Sequence, residues 1–75
     1  MSIQEEIVQL VRQQLGNPAV RPEHRIVEDL GAESMDIVNI VAAVEERFGL
    51  AIDETDLPEV RSVADLAALV ERGGV

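Results

Sequence analysis

The 75-residue chain carries fifteen acidic residues against six arginines and has no lysine, so its formal net charge is −9. A surface this acidic repels phosphate backbones, which argues against nucleic acid and favours protein partners with basic patches. Hydrophobic residues make up 47% of the chain and cysteine is absent. We expect one packed domain over residues 1–75, without disulfides, as is typical of cytoplasmic proteins. We expect no secretory signal and no membrane span, because the chain lacks apolar runs of the required length.

The first predicted helix runs from Ile3 to Leu15. Ser2 and Glu5 have the spacing of a capping box, in which each side chain satisfies a free amide at the helix start. Gly16 and the Asn-Pro pair after it end the helix. The apolar residues that recur on one face are Ile3, Ile7, Leu10, Val11 and Leu15.

A long connection follows, and the second helix is predicted from Ser34 to Phe48. Loops of this length are usually functional or tied down by apolar anchors. The predicted anchors are Val20, Ile26 and Leu30. Gly49 ends the second helix, because glycine readily adopts the left-handed conformation. The predicted core face of this helix is Ile37, Ile40, Val41, Val44 and Phe48.

The C-terminal third predicts a short third helix and a longer last one. Residues 50–60 form at most one or two helical turns, since Pro58 interrupts them. Ser62 and Asp65 indicate a capped start for the last helix. We expect the final residues, RGGV, to fray. The apolar face of the last helix is Val63, Leu66, Leu69 and Val70. The fold class is therefore all-α.

The polar residues argue against an enzyme and against a metal site. Ser34 lies in Gly-Ala-Glu-Ser-Met, which lacks the second glycine and the preceding strand of a nucleophile elbow. The one histidine, His24, is expected to be an exposed loop residue with no third group to orient it as a base. The run DETDLPE lacks the central glycine and terminal glutamate of a calcium loop. We predict no catalytic residue and no metal ligand.

Ser34 permits two interpretations. As an N-cap it would accept a hydrogen bond from an early amide, which contributes about 1 kcal/mol. As a modification site it would place a phosphate ester at the positive end of a helix. Position 37 is Ile, which cannot complete a capping box with Ser34. Met35 lies off the core face among Asp29, Glu33 and Asp36, as in an apolar contact surface ringed by acids.

The stretch DLGAESMDIVNIVAAVEERFGLAIDE resembles the centre of an acyl carrier protein. In that family, Asp-Leu-Gly leads to Asp-Ser-Leu at the start of the second helix, which ends in an acidic run, Phe and a short loop to Ile. The matching segments here are Asp29-Leu30-Gly31, Glu33-Ser34-Met35, Glu45-Glu46-Arg47-Phe48 and Ile52. The resemblance covers nearly the whole chain. It implies a four-helix bundle with a long loop between helices 1 and 2 and a short third helix.

The resemblance also implies a cofactor. Ser34 would carry 4′-phosphopantetheine through a phosphodiester, attached by a phosphopantetheinyl transferase that uses coenzyme A and magnesium. The terminal thiol would hold acyl groups as thioesters, and a fatty acyl chain could be sheltered among the helices. The protein itself would be a non-catalytic carrier.

In the family, acyl-transfer and synthase enzymes dock basic patches against the second helix and its flanks. The corresponding positions here are Glu33, Met35, Asp36, Val38, Ala42, Glu45, Glu46 and Ile52. The sequence departs from the usual pattern at several positions, with Glu33 for Asp, Met35 for Leu and Arg47 within the acidic run. The resemblance implies a cytoplasmic monomer that neither enters membranes nor binds nucleic acid.

Two questions stay open at this point. The pathway could be primary fatty-acid synthesis or a specialised one, for a polyketide, an unusual lipid or an aminoacyl group. The alternative class is a small acidic helical adaptor that binds a basic protein without any modification. Only the carrier requires the hydroxyl group of Ser34.

Overall fold

The computed structural model describes residues 2–73, which form three α-helices and one 3₁₀ helix. Within this range the only β-structure is an isolated bridge between Arg25 and Ser62. The all-α prediction is confirmed. The expectation of a frayed end falls partly on Gly74 and Val75, which lie outside the described residues. In chain order the elements are α1 (Ile3–Leu15), α2 (Ser34–Phe48), the 3₁₀ helix η1 (Glu54–Glu59) and α3 (Val63–Glu71).

Side-chain caps define the starts of α1 and α3. Ser2 Oγ accepts a hydrogen bond from the Glu5 amide at 3.1 Å, but the Ser2 hydroxyl, rather than its amide, contacts the Glu5 carboxylate. The predicted capping box of α1 is therefore only half formed. At α3 both halves form, because the Asp65 amide donates to Ser62 Oγ and the Ser62 amide donates to Asp65 Oδ2, each at 3.1 Å.

Glycine ends the two longer helices, as predicted. Gly16 and Gly49 have φ angles of 63° and 64°, in the left-handed region that glycine adopts without a steric penalty. Their amides donate to the carbonyl groups of Arg12 and Glu45, which satisfies acceptors that the last helical turn leaves free.

The core lies where α1 packs against both α2 and α3. The predicted apolar faces supply most of it. Val8 is also buried, although it lies outside the predicted face of α1, since a helix with two neighbours needs a wider apolar surface than a single stripe. The core residues contributed by the three α-helices are Ile7, Val8, Val11, Ile40, Val44, Val63, Leu66, Ala67, Leu69 and Val70.

The long loop between α1 and α2 is held by buried side chains and by hydrogen bonds to α1 and to the segment before α3. Val20 and Ile26 are buried and Leu30 is half-buried, which confirms the predicted anchors. The Arg12 guanidinium donates twice to the Val20 carbonyl, at 2.9 and 3.1 Å. The Ile26 amide donates to the Arg61 carbonyl at 2.8 Å. These bonds fix the path of the chain toward the start of α2.

His24 is a structural member of this loop. The expectation of an exposed histidine is wrong, because the residue is half-buried and Nδ1 accepts a hydrogen bond from the Arg21 amide at 2.9 Å. Its carbonyl accepts from the Val63 amide at 3.1 Å, which joins the loop to the first turn of α3.

The 3₁₀ helix η1 is a thin element with no fully buried residue. Asp53 caps it, with Oδ1 accepting from the Thr55 amide at 2.9 Å and from the Thr55 hydroxyl at 2.8 Å. Pro58 lies inside it, and Leu57 packs partly against the core. The prediction of one or two helical turns is confirmed.

We predict that the cap of α3 makes stability depend on pH. Hydrogen bonds from the Ser62 amide and then the Arg61 amide lower the pKa of Asp65 below its ordinary value of 3.8. A carboxylate whose pKa is lower in the folded state stabilises the fold above its unfolded-state pKa, and this contribution is lost as pH falls through the folded-state pKa. Asp65→Asn should therefore unfold at a lower temperature than the parent at about pH 6, and the gap should narrow below about pH 4.

Thermal unfolding of the parent and Asp65→Asn across this pH range measures the effect. Glu71→Gln removes one exposed charge from the same helix and controls for net charge. A gap that stays constant into the acid range contradicts the role given to Asp65.

Candidate functional site

Ser34 is the first residue of α2, and its side chain is exposed. The N-cap position belongs to Glu33, whose backbone is extended at φ −93° and ψ 171°. Within residues 2–73 the Ser34 hydroxyl forms no hydrogen bond. The interpretation of Ser34 as an N-cap is therefore wrong, because the cap falls one residue earlier.

Asp36 performs the capping role that the sequence suggested for Ser34. Its Oδ2 atom accepts a hydrogen bond from the Glu33 amide at 2.9 Å. The signal for this bond was present in the sequence as an acid three residues after Glu33. A capping box counted from Ser34 has Ile37 as its partner position, so that pattern does not indicate this bond. The result is a hydroxyl group that projects from a helix N-terminus without a partner of its own.

Asp29 does not belong to the acidic surroundings of Ser34. Its Oδ2 atom accepts from the Arg25 amide at 2.8 Å and lies 3.5 Å from the Arg25 Nε atom. The backbone hydrogen bond from Arg25 is the main reason that the pKa of Asp29 lies below its ordinary value. The guanidinium of Arg25 also pairs with Glu28 at 3.1 Å. The negative charge beside Ser34 therefore comes from Glu33 and Asp36.

An exposed apolar stripe runs along α2 from Ser34. Met35 is 68% exposed and Val38 is 58% exposed, and Ala42 continues the stripe one turn later. Their spacing places these side chains on one side of the helix, away from the buried residues of the same helix. The exposed Glu46 lies beyond them. We call Met35, Val38, Ala42 and Glu46 the α2 outer face. Exposed apolar groups with a charged rim are typical of protein-binding surfaces.

Two of the predicted docking residues, Glu45 and Ile52, are joined by a hydrogen bond. Ile52 is only 8% exposed and belongs to the core, so its side chain does not border an exposed surface. Its amide donates to Glu45 Oε2 at 2.8 Å, and the half-buried Glu45 thereby fastens the loop that follows α2. Arg47, which interrupts the acidic run, forms an ion pair with Glu6 of α1. Its charge is therefore offset by a carboxylate of α1 at the surface of the bundle.

An apolar cavity of about 290 Å³ lies between α2, η1, α3 and the long loop. Ile37 stands at its α2 wall, one helical turn after Ser34, and Ile40 and Val41 continue that wall. Leu57 closes it from η1. Apart from Glu54 the lining is apolar, so the cavity suits an apolar chain.

The geometry fits a prosthetic group joined through the Ser34 oxygen. The hydroxyl is exposed and uncommitted, and a phosphodiester there would lie at the positive end of α2. Across residues 2–73, no set of three or more His, Asp or Glu side chains is placed to hold a metal ion. No helix in the same range has the length and apolarity needed to cross a membrane.

Comparisons with known proteins identify the family of the chain. A family described as "Phosphopantetheine attachment site" matches residues 5–70. An acyl carrier protein from Nitratidesulfovibrio vulgaris (strain Miyazaki F) is 41% identical over 73 residues, which is 95% of this chain and 96% of that protein. Acyl carrier proteins from Campylobacter curvus and Bdellovibrio bacteriovorus are each 38% identical over 76 aligned positions, which cover 99% of this chain and 99% and 97% of theirs. The chain therefore belongs to the acyl carrier protein family, whose members are non-catalytic carriers with covalently attached 4′-phosphopantetheine.

Proposed function

We propose that Ser34 is the attachment point of 4′-phosphopantetheine and that the protein carries acyl groups as thioesters on the terminal thiol of this arm. The observation that carries the proposal is the exposed, unbonded hydroxyl at the first residue of α2. Asp36 caps the Glu33 amide, so the helix start does not need the serine. Modification of Ser34 then leaves the fold intact.

The attachment reaction needs an activating group from another protein. The Ser34 oxygen would bond to the phosphorus nearest the pantetheine of coenzyme A. The pyrophosphate bond would break, and adenosine 3′,5′-bisphosphate would leave as the serine proton passes to a base. The nearby carboxylate of Asp36 is occupied by the Glu33 amide. A phosphopantetheinyl transferase would therefore supply the base and the magnesium ion.

We propose the α2 outer face as the surface that meets partner enzymes. These partners are the transferase and the acyl-transfer and synthase enzymes with basic patches. Met35 and Val38 offer apolar contact next to Ser34, and Glu33 and Glu46 offer charge at either end of the stripe. Asp36 and Glu45 add negative charge while holding their intramolecular bonds. Ile52 supports the surface from the core and does not form part of it.

The apolar cavity beside Ile37 favours cargo with a hydrocarbon part, as in fatty-acid, polyketide or specialised lipid synthesis, over an aminoacyl group. A chain held there would be withdrawn from water between visits to enzymes. We further propose a cytoplasmic location and a single domain, supported by the absence of cysteine and by the one continuous core. The adaptor alternative rests only on the α2 outer face, which the carrier uses as well.

Ser34→Ala should abolish attachment and barely change stability. After incubation with coenzyme A, magnesium and a broad-specificity transferase, we expect the intact mass of the parent to rise by one phosphopantetheine and that of Ser34→Ala to stay constant. Because Ser34 makes no capping bond, the free energy of unfolding should change by much less than the roughly 1 kcal/mol of a lost cap.

Ser2→Ala is the matched control, because Ser2 is also an exposed serine at a helix start. It should be loaded like the parent, while losing the stability of its cap. Loading of Ser34→Ala, or failure of the folded parent to load with several transferases, would refute the assignment of Ser34.

Glu46→Lys should slow attachment without abolishing it. Reversing a charge on the docking face weakens electrostatic steering, so we expect loading about three- to tenfold slower at low salt. The difference from the parent should shrink at high salt, because screening shortens the range of the field. Initial rates of loading at several ionic strengths measure both effects.

Glu71→Lys changes the net charge equally but lies on α3, so it should load at close to the parental rate. Asp36→Lys is a poorer probe, because it also removes the cap of Glu33. Equal slowing by the α2 and α3 substitutions would mean that net charge, rather than the α2 outer face, controls docking.

A further inference from the structure

Arg47 is the only basic residue of α2, and the proposed attachment reaction does not use it. It directly follows Glu46, the last residue of the α2 outer face. Successive side chains of an α-helix are separated by about 100°, so Arg47 lies at the edge of this face. Its ion pair with Glu6 identifies the edge as the one beside α1. The acidic run at the end of α2 is therefore bordered by a positive charge.

The ion pair of Arg47 exposes its positive member. Among residues 2–73 it is the only ion pair that joins two helices, since the others lie within the long loop. The Arg47 side chain is 58% exposed, whereas the Glu6 side chain is 21% exposed. The pair has no net charge, but a protein that contacts this edge of α2 meets the guanidinium before the carboxylate.

A surface recess of about 250 Å³ lies between Arg47 and α1. Gln9 and Gln13 are one helical turn apart and place two amide groups along it, and Leu10 adds an apolar contact. Glu6 is the one acid among the lining residues, and its charge is offset by Arg47. The recess therefore offers hydrogen-bond donors without a net negative charge, unlike the acidic surroundings of Ser34.

The guanidinium of Arg47 retains donors for a second acceptor. It contacts Glu6 through Nη2, and its other nitrogens form no hydrogen bond within residues 2–73. A guanidinium carries five N–H donors in a fixed plane, which are enough for two carboxylates. A carboxylate from another protein can therefore join the pair without displacing Glu6.

Arg47 and Ser34 are close enough to lie within one interface. Residues 34 and 47 are about 20 Å apart along the axis of α2. A standard protein interface buries about 800 Å² on each partner, which corresponds to a patch roughly 30 Å across. A patch of this size, centred on the α2 outer face, covers both residues.

Resting on the proposed docking role of the α2 outer face, we propose that Arg47 selects the partner enzymes of this carrier. It favours an enzyme whose basic patch is flanked by an acidic side chain that enters the recess between α1 and α2. It disfavours an enzyme that brings a further basic residue to this edge, because like charges in contact weaken binding. Glu6 is a positioning residue, because it holds the guanidinium beside the recess.

The first test measures kcat/KM for loading of the protein by a broad-specificity phosphopantetheinyl transferase at low salt. Such an enzyme docks with a basic patch, so Arg47→Gln should raise kcat/KM about two- to fourfold. Arg72→Gln changes the net charge equally at the exposed end of α3 and should stay close to the parent. Arg47→Lys keeps the positive charge and should also stay close to the parent. Thermal unfolding verifies that each variant is folded.

Glu6→Gln tests the positioning role. Without its carboxylate partner, the charge of Arg47 is no longer offset, so we expect kcat/KM to fall about twofold below that of Glu71→Gln, which has the same net charge. In the Arg47→Gln background, Glu6→Gln should have no effect beyond that of Glu71→Gln. A purely structural role of Glu6 would lower kcat/KM in both backgrounds.

The second test supplies the complementary charge on the partner. Each Lys or Arg of the docking patch of the transferase is changed to Glu in turn, and kcat/KM is measured with the parent and with Arg47→Gln. At one position or more, the new carboxylate should reverse the preference, so that the parent is loaded faster than Arg47→Gln. The unmodified transferase should prefer Arg47→Gln.

Equal effects of Arg47→Gln and Arg72→Gln overturn the proposal, because net charge would then explain both. A preference that no transferase substitution reverses overturns it as well. In either case the proposed function stands if Glu46→Lys slows loading and Ser34→Ala is not loaded. Normal loading of Glu46→Lys would instead overturn the docking role of the α2 outer face, and absence of any mass gain in the parent would overturn the attachment at Ser34.

Discussion

The hydrogen bond from the Glu33 amide to Asp36 is the interaction on which the site depends. A helix start leaves several amides without partners, and a serine placed there would normally be drawn into satisfying one of them. Here the carboxylate of Asp36, in the first turn of α2, accepts a hydrogen bond from the Glu33 amide and so caps the helix. The Ser34 hydroxyl is consequently separated from the stability of α2 and is available to chemistry carried out by another protein.

The packing of the helices around α1 explains why one side of the bundle is incompletely covered. Because α1 contacts both α2 and α3, the bundle is closed on one side by a helix and on the other only by the thin η1 and the long loop. The apolar residues that face η1 are therefore incompletely covered, which produces a groove rather than a solid core. The hydrogen bond from the Ile26 amide to the Arg61 carbonyl holds the long loop on this side of the bundle.

The sequence allowed the helices to be predicted well, because local signals define them. Apolar residues at helical spacing, together with Gly16 and Gly49, placed both ends of α1 and α2. The burial and the contacts of individual side chains were harder to predict where the contacting residue is not a close neighbour in sequence. Ile52 is drawn into the core by apolar burial while its amide meets Glu45, a contact that no local pattern indicates. His24 is oriented by the turn that it closes with the Arg21 amide.

Three of the six arginines are held by contacts within the bundle. The Arg12 guanidinium donates to the Val20 carbonyl, Arg47 pairs with Glu6, and Arg25 pairs with acids of its own loop. Arg25 and Arg47 are both exposed, but the acids that pair with them offset their charge, so the acids beside Ser34 keep their field in solvent.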